Sequence, residues 1–202
     1  MNMNYRPNIN ILRSQRKTIA LQIQQDLTII LKVPLTIQKA EIDCFLDKHT
    51  AWIETHLKKA RTQQEKADSQ EKLTEKDILR LVEQAKFIIP DRVRYYAQLI
   101  GVTYGRITIR SQRSKWGSCS EKGNLNFNCL LMLTPTEVLN SVVVHELCHR
   151  KEMNHSSRFY KEVLRVCPDY WKWDQWLKEN GPVLFRRIER GKAHKEGSAI
   201  CD

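Results

Sequence analysis

Residues 134–149 of this 202-residue chain are TPTEVLNSVVVHELCH, and this stretch predicts a buried helix. Thr134 is placed to cap the helix, Pro135 suits the first helical position, and Glu137 completes a capping box. The residues from Val138 to Val144 are mostly apolar. A helix that is apolar on most of its surface belongs inside a protein, so we expect the rest of the fold to pack around it.

The last turn of this predicted helix has the sequence His145-Glu-Leu-Cys-His149. Four residues advance a helix by about 400°, so the two imidazoles lie one turn apart on one face and can bind one metal ion. Glu146 lies about 100° round from His145, where it can hold a water molecule beside the metal. These polar groups are costly on a buried helix unless they are paired or bound to metal. The alternative is a pair of core histidines with satisfied hydrogen bonds.

A catalytic zinc ion requires a third protein ligand and one open position. His155 is the first candidate, and the helix must end before it, because a continuous helix would rotate its side chain about 240° away from His149. A serine just after it, Ser156 or Ser157, would cap the next helix. Glu162 is the alternative third ligand. Glu152 occupies the position at which the metzincin pattern has glycine, so we do not expect a metzincin fold.

The segment before this helix is basic. It contains Arg110, Arg113 and Lys115 with no acidic residue between them. These side chains are candidates for binding an anion such as a substrate phosphate, and a solvated strand surface explains them equally well. Trp116 is followed by Gly117, a pair more typical of a packed hairpin than of a ligand site.

The composition is that of a globular protein, with 41% hydrophobic and 28% charged residues. The apolar runs fall far short of a membrane span, and the start has no secretory pattern, so we expect a cytoplasmic protein without membrane association. The 34 Lys and Arg exceed the 23 Asp and Glu by 11 charges, which favours polyanions such as nucleic acid. No two of the six cysteines form a C-x-x-C pair, so a zinc knuckle or thioredoxin-like motif is absent. In a cytoplasmic chain we expect reduced thiols.

Apolar periodicity divides the chain into four parts. Residues 11–60 are predicted to form a hairpin followed by a helix from about residue 37. Residues 61–73 are almost free of apolar side chains and form a linker or a helix end. Residues 74–185 hold the metal site, and residues 186–202 are a basic, flexible tail. The predicted fold class is α+β, with a small antiparallel sheet packed on helices that include the HExxH helix.

Within residues 74–185, Thr74 starts a helix that Pro90 breaks or kinks and that Gly101 ends. Strands are predicted at 106–110 and 125–129. The edge of the second strand is a candidate for pairing with an extended peptide.

Several motifs resemble those of the YgjP-like metallopeptidase-domain family, and together they extend over residues 11–185. In chain order they are Arg13-Ser-Gln-Arg-Lys17, Ala51-Trp-Ile53, Trp116-Gly-Ser-Cys119, Asn126 with Asn128, His145-Glu-Leu-Cys-His149, Asn154-His-Ser156, Phe159 and Pro168-Asp-Tyr170.

The resemblance implies a zincin-like, metal-dependent hydrolase domain over residues 74–185, related in fold to the SprT-like and WLM-type proteases. Carried over by position, His145, His149 and His155 become zinc ligands and Glu146 becomes the catalytic residue. The family does not define a substrate.

Three functions are compatible with these residues. The first is a zinc metallopeptidase that cleaves a peptide or protein with a zinc-bound water and Glu146 as general base, with Tyr160 and Tyr170 as candidate oxyanion donors. The second is a nucleotide or phosphate-ester hydrolase, similar to a pyrophosphatase, that uses the same site and holds phosphate with Arg113 and Lys115. The third is a nucleic-acid-associated protein in which zinc is structural.

Overall fold

The computed structural model describes residues 9–24, 26–188 and 199–200. The chain divides into two units, Met1–Ser69 and Gln70–Asp202, and each is described here by itself. In each unit a small sheet accompanies helices, so the predicted α+β class is confirmed. The domain limits drawn from the sequence stay a prediction.

The first unit is a three-stranded sheet with two helices. Its elements are β1 (Ile9–Ser14), β2 (Ala20–Ile23), β3 (Ile29–Pro34), α1 (Lys39–Lys48) and α2 (Thr50–Asp68). Strands β2 and β3 form the predicted antiparallel hairpin, whereas β1 pairs in parallel with the other edge of β3, which the sequence did not predict. Alternate side chains of β3, those of Ile29, Leu31 and Val33, are fully buried. The strand period of two places all three on one face, which forms the core of this unit.

The single helix predicted from residue 37 is two helices, separated at His49. The His49 backbone leaves the helical region (φ −106°, ψ 9°), and its Nδ1 lies 2.7 Å from the carbonyl oxygen of Phe45. Residues 61–68 continue α2, so this part of the predicted linker is helical.

The second unit packs a four-stranded sheet on helices. Its elements are α3 (Glu75–Ile100), β4 (Ile107–Arg110), β5 (Gly117–Cys119), β6 (Leu125–Asn128), α4 (Thr136–Cys148), α5 (Ser157–Val166), α6 (Tyr170–Arg186) and β7 (Ala199–Ile200). The strand order is β5-β6-β4-β7.

The sheet of the second unit is mixed, which differs from the predicted antiparallel sheet. β6 is antiparallel to β5 but parallel to β4. The turn at residues 120–124 makes β5 and β6 a hairpin, and this hairpin places β5 at the edge of the sheet. The predicted peptide-binding edge at 125–129 is therefore wrong, because β6 is paired on both sides.

Strand β7 lies within the predicted basic tail and pairs antiparallel with β4. Residues 189–198 and 201–202 of that tail lie outside the described residues, so its flexibility stays a prediction.

Helix α3 begins and ends as the sequence predicts. The Thr74 hydroxyl accepts a hydrogen bond from the Asp77 amide, and Gly101 ends the helix with a positive φ of 76°, a conformation that glycine adopts without strain. The helix continues through Pro90 and is not broken there. One buried stripe holds it to the core, formed by Ile78, Leu81, Ala85, Ile89, Val93, Ala97 and Ile100.

Helix α4 starts differently from the prediction. Its first residue is Thr136, and Pro135 is the N-cap instead of the first helical residue. Thr134 ends a 3-10 turn at Cys129–Leu133, and its hydroxyl donates to the carbonyl oxygen of Leu131 at 2.8 Å. The predicted capping box is wrong, because this preceding turn already engages Thr134.

The predicted burial of α4 is confirmed. Nine of its 13 residues are buried, and Ser141 and Glu146 are the polar ones among them. The Ser141 hydroxyl donates to the carbonyl oxygen of Val138 at 2.7 Å, which satisfies it within the helix. Glu146 is thus the polar side chain of α4 whose burial calls for a functional explanation.

The described part of the chain offers no helix that is both long and apolar enough to cross a membrane. Its five cysteines are free thiols, as the sequence predicts.

A cluster of three charged side chains connects the segment after α4 to α5. Glu162 Oε1 lies 2.6 Å from Lys151 Nζ and 2.6 Å from Arg165 Nη2. The hydrogen bond from Arg165, and then that from Lys151, hold the pKa of Glu162 at about 2, against the opposing effect of burial. The Glu162 side chain is 19% exposed, so water screens this cluster only in part.

We expect Glu162→Gln to lower the free energy of unfolding at pH 7 by about 1–2 kcal/mol. Because the pKa is depressed in the folded state, the carboxylate stabilises the fold above its unfolded pKa of 4.5. This stabilisation is lost as the pH falls from 4.5 to about 2. Denaturant unfolding of the metal-free protein and variant, measured from pH 7 to pH 3, checks this.

The matched control is Glu83→Gln, because Glu83 forms a pair with Lys86 but is 70% exposed. It should change the free energy of unfolding by less than about 0.5 kcal/mol. If the free energies of unfolding of wild type and Glu162→Gln differ by the same amount at pH 7 and at pH 3, the assigned role of Glu162 is contradicted.

Candidate metal centre and active site

Helix α4 presents His145 and His149 on one face, as their spacing requires. Their ring centroids are 4.9 Å apart. The helix ends at Cys148, and His149 is its C-cap. The second imidazole therefore lies where the chain leaves the helix and can turn back toward the first.

The segment after α4 brings His155 close to His145 and His149. Ser156 caps α5, with its hydroxyl accepting a hydrogen bond from the Phe159 amide at 3.3 Å. His155 Nε2 then lies 3.0 Å from His145 Nε2. One nitrogen of each of the three histidines lies within 4.8 Å of the others, an arrangement that can hold a metal ion.

The protonation state of these histidines suits a cation. Burial, and then the neighbouring His149 and His155, lower the pKa of His145 to about 3. Burial also lowers the pKa of His149. These two rings are therefore neutral near pH 7 and keep a lone pair for a metal. Two nitrogen ligands about 2.0–2.1 Å from a tetrahedral zinc ion lie about 3.3 Å apart, close to the separation of the two Nε2 atoms.

Two of the three imidazole rings have a hydrogen-bonding partner at Nδ1. Nδ1 of His145 lies 2.8 Å from the Tyr170 hydroxyl, and Nδ1 of His149 lies 3.1 Å from the carbonyl oxygen of Glu152. A carbonyl only accepts, so His149 donates from Nδ1 and keeps the lone pair of Nε2 for a metal. Such outer contacts fix the tautomer and the direction of a ligating ring.

Phe159 forms the apolar base of the histidine cluster. It is fully buried, and its ring centroid lies 4.9 Å, 4.6 Å and 4.9 Å from those of His145, His149 and His155. The sequence placed it on a helix without predicting this role. Its position three residues after the Ser156 cap is the signal that would have shown it, because the first turn of α5 follows directly on His155.

Glu146 packs against the backbone of β5. A Cβ atom added at Gly117 would lie 2.6 Å from Oε1 and 2.7 Å from Cγ of Glu146, so only glycine fits there. Glu146 is 6% exposed. Burial raises its pKa to about 8, and the nearby Lys115 opposes that rise. This contact accounts for a glycine at position 117, directly after Trp116.

Trp116 holds β5 in position. Its ring centroid lies 4.5 Å from that of Phe185, and Gly181 of α6 leaves room for it, because a Cβ there would come within 3.1 Å of the indole. The expectation of a packed hairpin is confirmed, since β5 and β6 pair and Trp116 packs on α6.

A pocket of about 250 Å³ adjoins Glu146 and His145. Of the three basic residues predicted to bind an anion, Lys115 lines this pocket, and Arg110 and Arg113 do not. Arg110 instead donates from Nε to the Asn126 side chain at 3.1 Å.

The other candidates from the sequence also have defined partners. Glu162, the alternative metal ligand, is engaged by Lys151 and Arg165. The Tyr170 hydroxyl contacts His145, and the ring of Tyr160 packs against that of Trp171 at a tilt of 37°, with centroids 4.8 Å apart.

Two solved structures are similar to part of this chain. The metallopeptidase zymogen abylysin of Pyrococcus abyssi is 22% identical, with a TM-score of 0.42 over 45% of this chain and 93% of that protein. The metallopeptidase zymogen jannalysin of Methanocaldococcus jannaschii is 25% identical, with a TM-score of 0.37 over 44% of this chain and 96% of that protein. A comparison with curated proteins gave no match.

A family model supplies the assignment. The model described as YgjP-like, metallopeptidase domain matches residues 17–82 and 68–180, which is most of the chain. These matches include the histidine cluster, Glu146 and the Trp116-Gly117 pair, so the resemblance noted from the sequence is confirmed. The chain belongs to the YgjP-like metallopeptidase-domain family.

Proposed function

We propose that this chain is a zinc-dependent peptidase in which His145, His149 and His155 hold the metal and Glu146 is the general base. The observation that carries the proposal is the approach of three ligand nitrogens within 4.8 Å of one another beside a buried glutamate. Three imidazoles with an open fourth position are a donor set typical of catalytic zinc. Membership of a metallopeptidase family supports a peptide or protein substrate.

The chain's own residues supply the acid–base chemistry. When bound, zinc would act as a Lewis acid on the substrate carbonyl and would lower the pKa of a water ligand to about 7. Glu146 would take a proton from the attacking water on its carboxylate and later give it to the leaving amine. Burial raises the pKa of Glu146, which makes its carboxylate a stronger proton acceptor than a solvated one. Gly117 and β5 would keep this carboxylate beside the three imidazoles.

The positions of the basic residues favour a peptide over a nucleotide. A phosphate-ester hydrolase would need several cations directed at the reacting group. Lys115 is the member of the predicted basic set that lines the pocket at Glu146, and Arg110 is engaged by Asn126.

The first prediction concerns metal content. We expect the purified protein to hold about one zinc ion per chain and His155→Ala to hold less than about a fifth of that, because two imidazoles alone bind zinc weakly. Elemental analysis after gel filtration measures both. His56→Ala is the control and should keep the metal, because His56 lies on α2 with its Nδ1 against the Trp52 carbonyl. Equal zinc in wild type and His155→Ala would exclude His155 as a ligand.

The second prediction separates a catalytic zinc from a structural one. Glu146→Gln should reduce peptide cleavage by about 10²–10⁴-fold while zinc content stays near one per chain, because an amide does not take the proton. Cleavage of a peptide library by the zinc-loaded protein and the variant, followed by mass spectrometry, measures this. Unchanged turnover in the variant would contradict the role of Glu146.

The third prediction concerns the contact between Gly117 and Glu146. Gly117→Ala should displace the carboxylate and lower kcat by about 10²-fold, with zinc content unchanged. Gly101→Ala is the control, because a Cβ at Gly101 meets no atom within 4 Å. That variant should lose about 1 kcal/mol of stability and keep its kcat. A full kcat in Gly117→Ala would show that the position of Glu146 does not depend on β5.

A further inference from the structure

The proposed mechanism gives no role to the pocket beside Glu146. It touches both His145 and Glu146, so a group bound in it lies next to the reacting atoms. Its volume of about 250 Å³ is below the range of about 300–1,000 Å³ that is usual for sites of small-molecule ligands. The size suits one side chain of a longer substrate better than a whole nucleotide.

One part of the pocket wall is apolar. It consists of the indole of Trp116, the side chains of Val142 and Leu177, and the ring of Tyr170. Val142 is 6% and Tyr170 is 7% exposed, and Trp116 is held between Gly181 and Phe185. Several elements therefore fix these walls, and the pocket exists before any substrate arrives.

Three of the polar groups at the pocket already have partners. The Ser141 hydroxyl donates to Val138, and the Tyr170 hydroxyl is engaged with His145. The Asp174 carboxylate, which is 24% exposed, pairs with Lys178 Nζ at 2.5 Å along α6. Lys115 is exposed, so its ammonium group keeps most of its hydration. A cationic side chain entering this pocket would lose water and would meet Asp174 already paired and Glu146 assigned to the acid–base chemistry.

We propose that this pocket binds an apolar side chain of the size of Leu, Met or Phe, from the residue that flanks the scissile bond. The inference rests on the proposed peptidase function and adds a substrate class to it: peptides cleaved beside a large apolar residue. Leu177 would set the size limit, and the pairing of Asp174 with Lys178 would offset the charge of that one carboxylate.

The first test changes the size of the pocket. Cleavage sites in a peptide library are mapped for the zinc-loaded wild type, Leu177→Phe and Leu177→Ala. We expect Leu177→Phe to lower kcat/KM at least 10-fold for peptides with Leu or Phe at the preferred position, with less than 3-fold change for peptides with Ala there. The expected size of this effect follows from the discrimination of about 10–200-fold that one methylene gives in an apolar pocket. Leu177→Ala should shift the preference toward Phe and Trp.

The second test changes the charge of the pocket through an exposed residue, so folding is not at risk. Lys178 is 62% exposed, and Lys178→Ala leaves the Asp174 carboxylate without its partner. We expect cleavage beside Lys or Arg to increase about 5-fold or more relative to cleavage beside Leu. Lys86→Ala is the matched control, because Lys86 pairs with Glu83 on α3 in the same way, and it should leave the preference unchanged.

The outcomes separate this inference from the proposed function. Cleavage with no side-chain preference, or with a preference for Asp or Glu that would point to Lys115, overturns the pocket assignment and leaves the peptidase standing. Absence of cleavage at any peptide overturns the peptidase.

If no peptide is cleaved, the pocket is tested alone by calorimetric titration of Glu146→Gln with peptides that differ only in Leu or Ser at one position. Tighter binding of the Leu peptides by at least 5-fold supports the pocket, and equal binding overturns it. If the Leu177 variants lose zinc or helical circular dichroism, the exposed Lys178→Ala variant decides.

Discussion

The burial of α4 is the constraint on which the rest of the second unit depends. An apolar helix inside the core takes Glu146 and two imidazoles out of water with it, and each of these groups is costly there unless something compensates it. Groups around α4 offset the cost of burying each of these side chains. The Tyr170 hydroxyl and the Glu152 carbonyl face the far nitrogens of the imidazoles, His155 returns to the near ones, and Gly117 gives the carboxylate its space.

The geometry of the metal site and that of the acid–base group come from different elements. Phe159 and the cap at Ser156 carry His155, and both belong to α5 or its start. Glu146 is held by β5, whose place depends on the packing of Trp116 against α6. Both sets of contacts converge on one helical turn of α4. The third imidazole and the position of the buried carboxylate are thus supplied by two neighbours of that turn, each with its own packing.

The sequence predicted what depends on local periodicity. The spacing of His145 and His149 determined their common face, and the serines after His155 indicated the start of the new helix. The residues that it missed act through contacts distant in sequence. The space at Gly117 is set by a side chain on α4, and the parallel pairing of β4 with β6 depends on where the β5–β6 hairpin docks. The engagement of Thr134 by a preceding 3-10 turn was missed because it depends on a neighbouring segment.

Tyr170 belongs to two parts of the site at once, and this limits how the protein can diverge. Its hydroxyl supports a histidine of the metal cluster, while its ring forms part of the adjoining pocket. Under the proposed function, a substitution at Tyr170 would therefore change both substrate selectivity and metal retention. Leu177 lies two turns further along α6 and lines the same pocket, but it is not part of the histidine cluster. Related enzymes that differ in their targets should vary at the position of Leu177 and keep an aromatic hydroxyl at the start of α6.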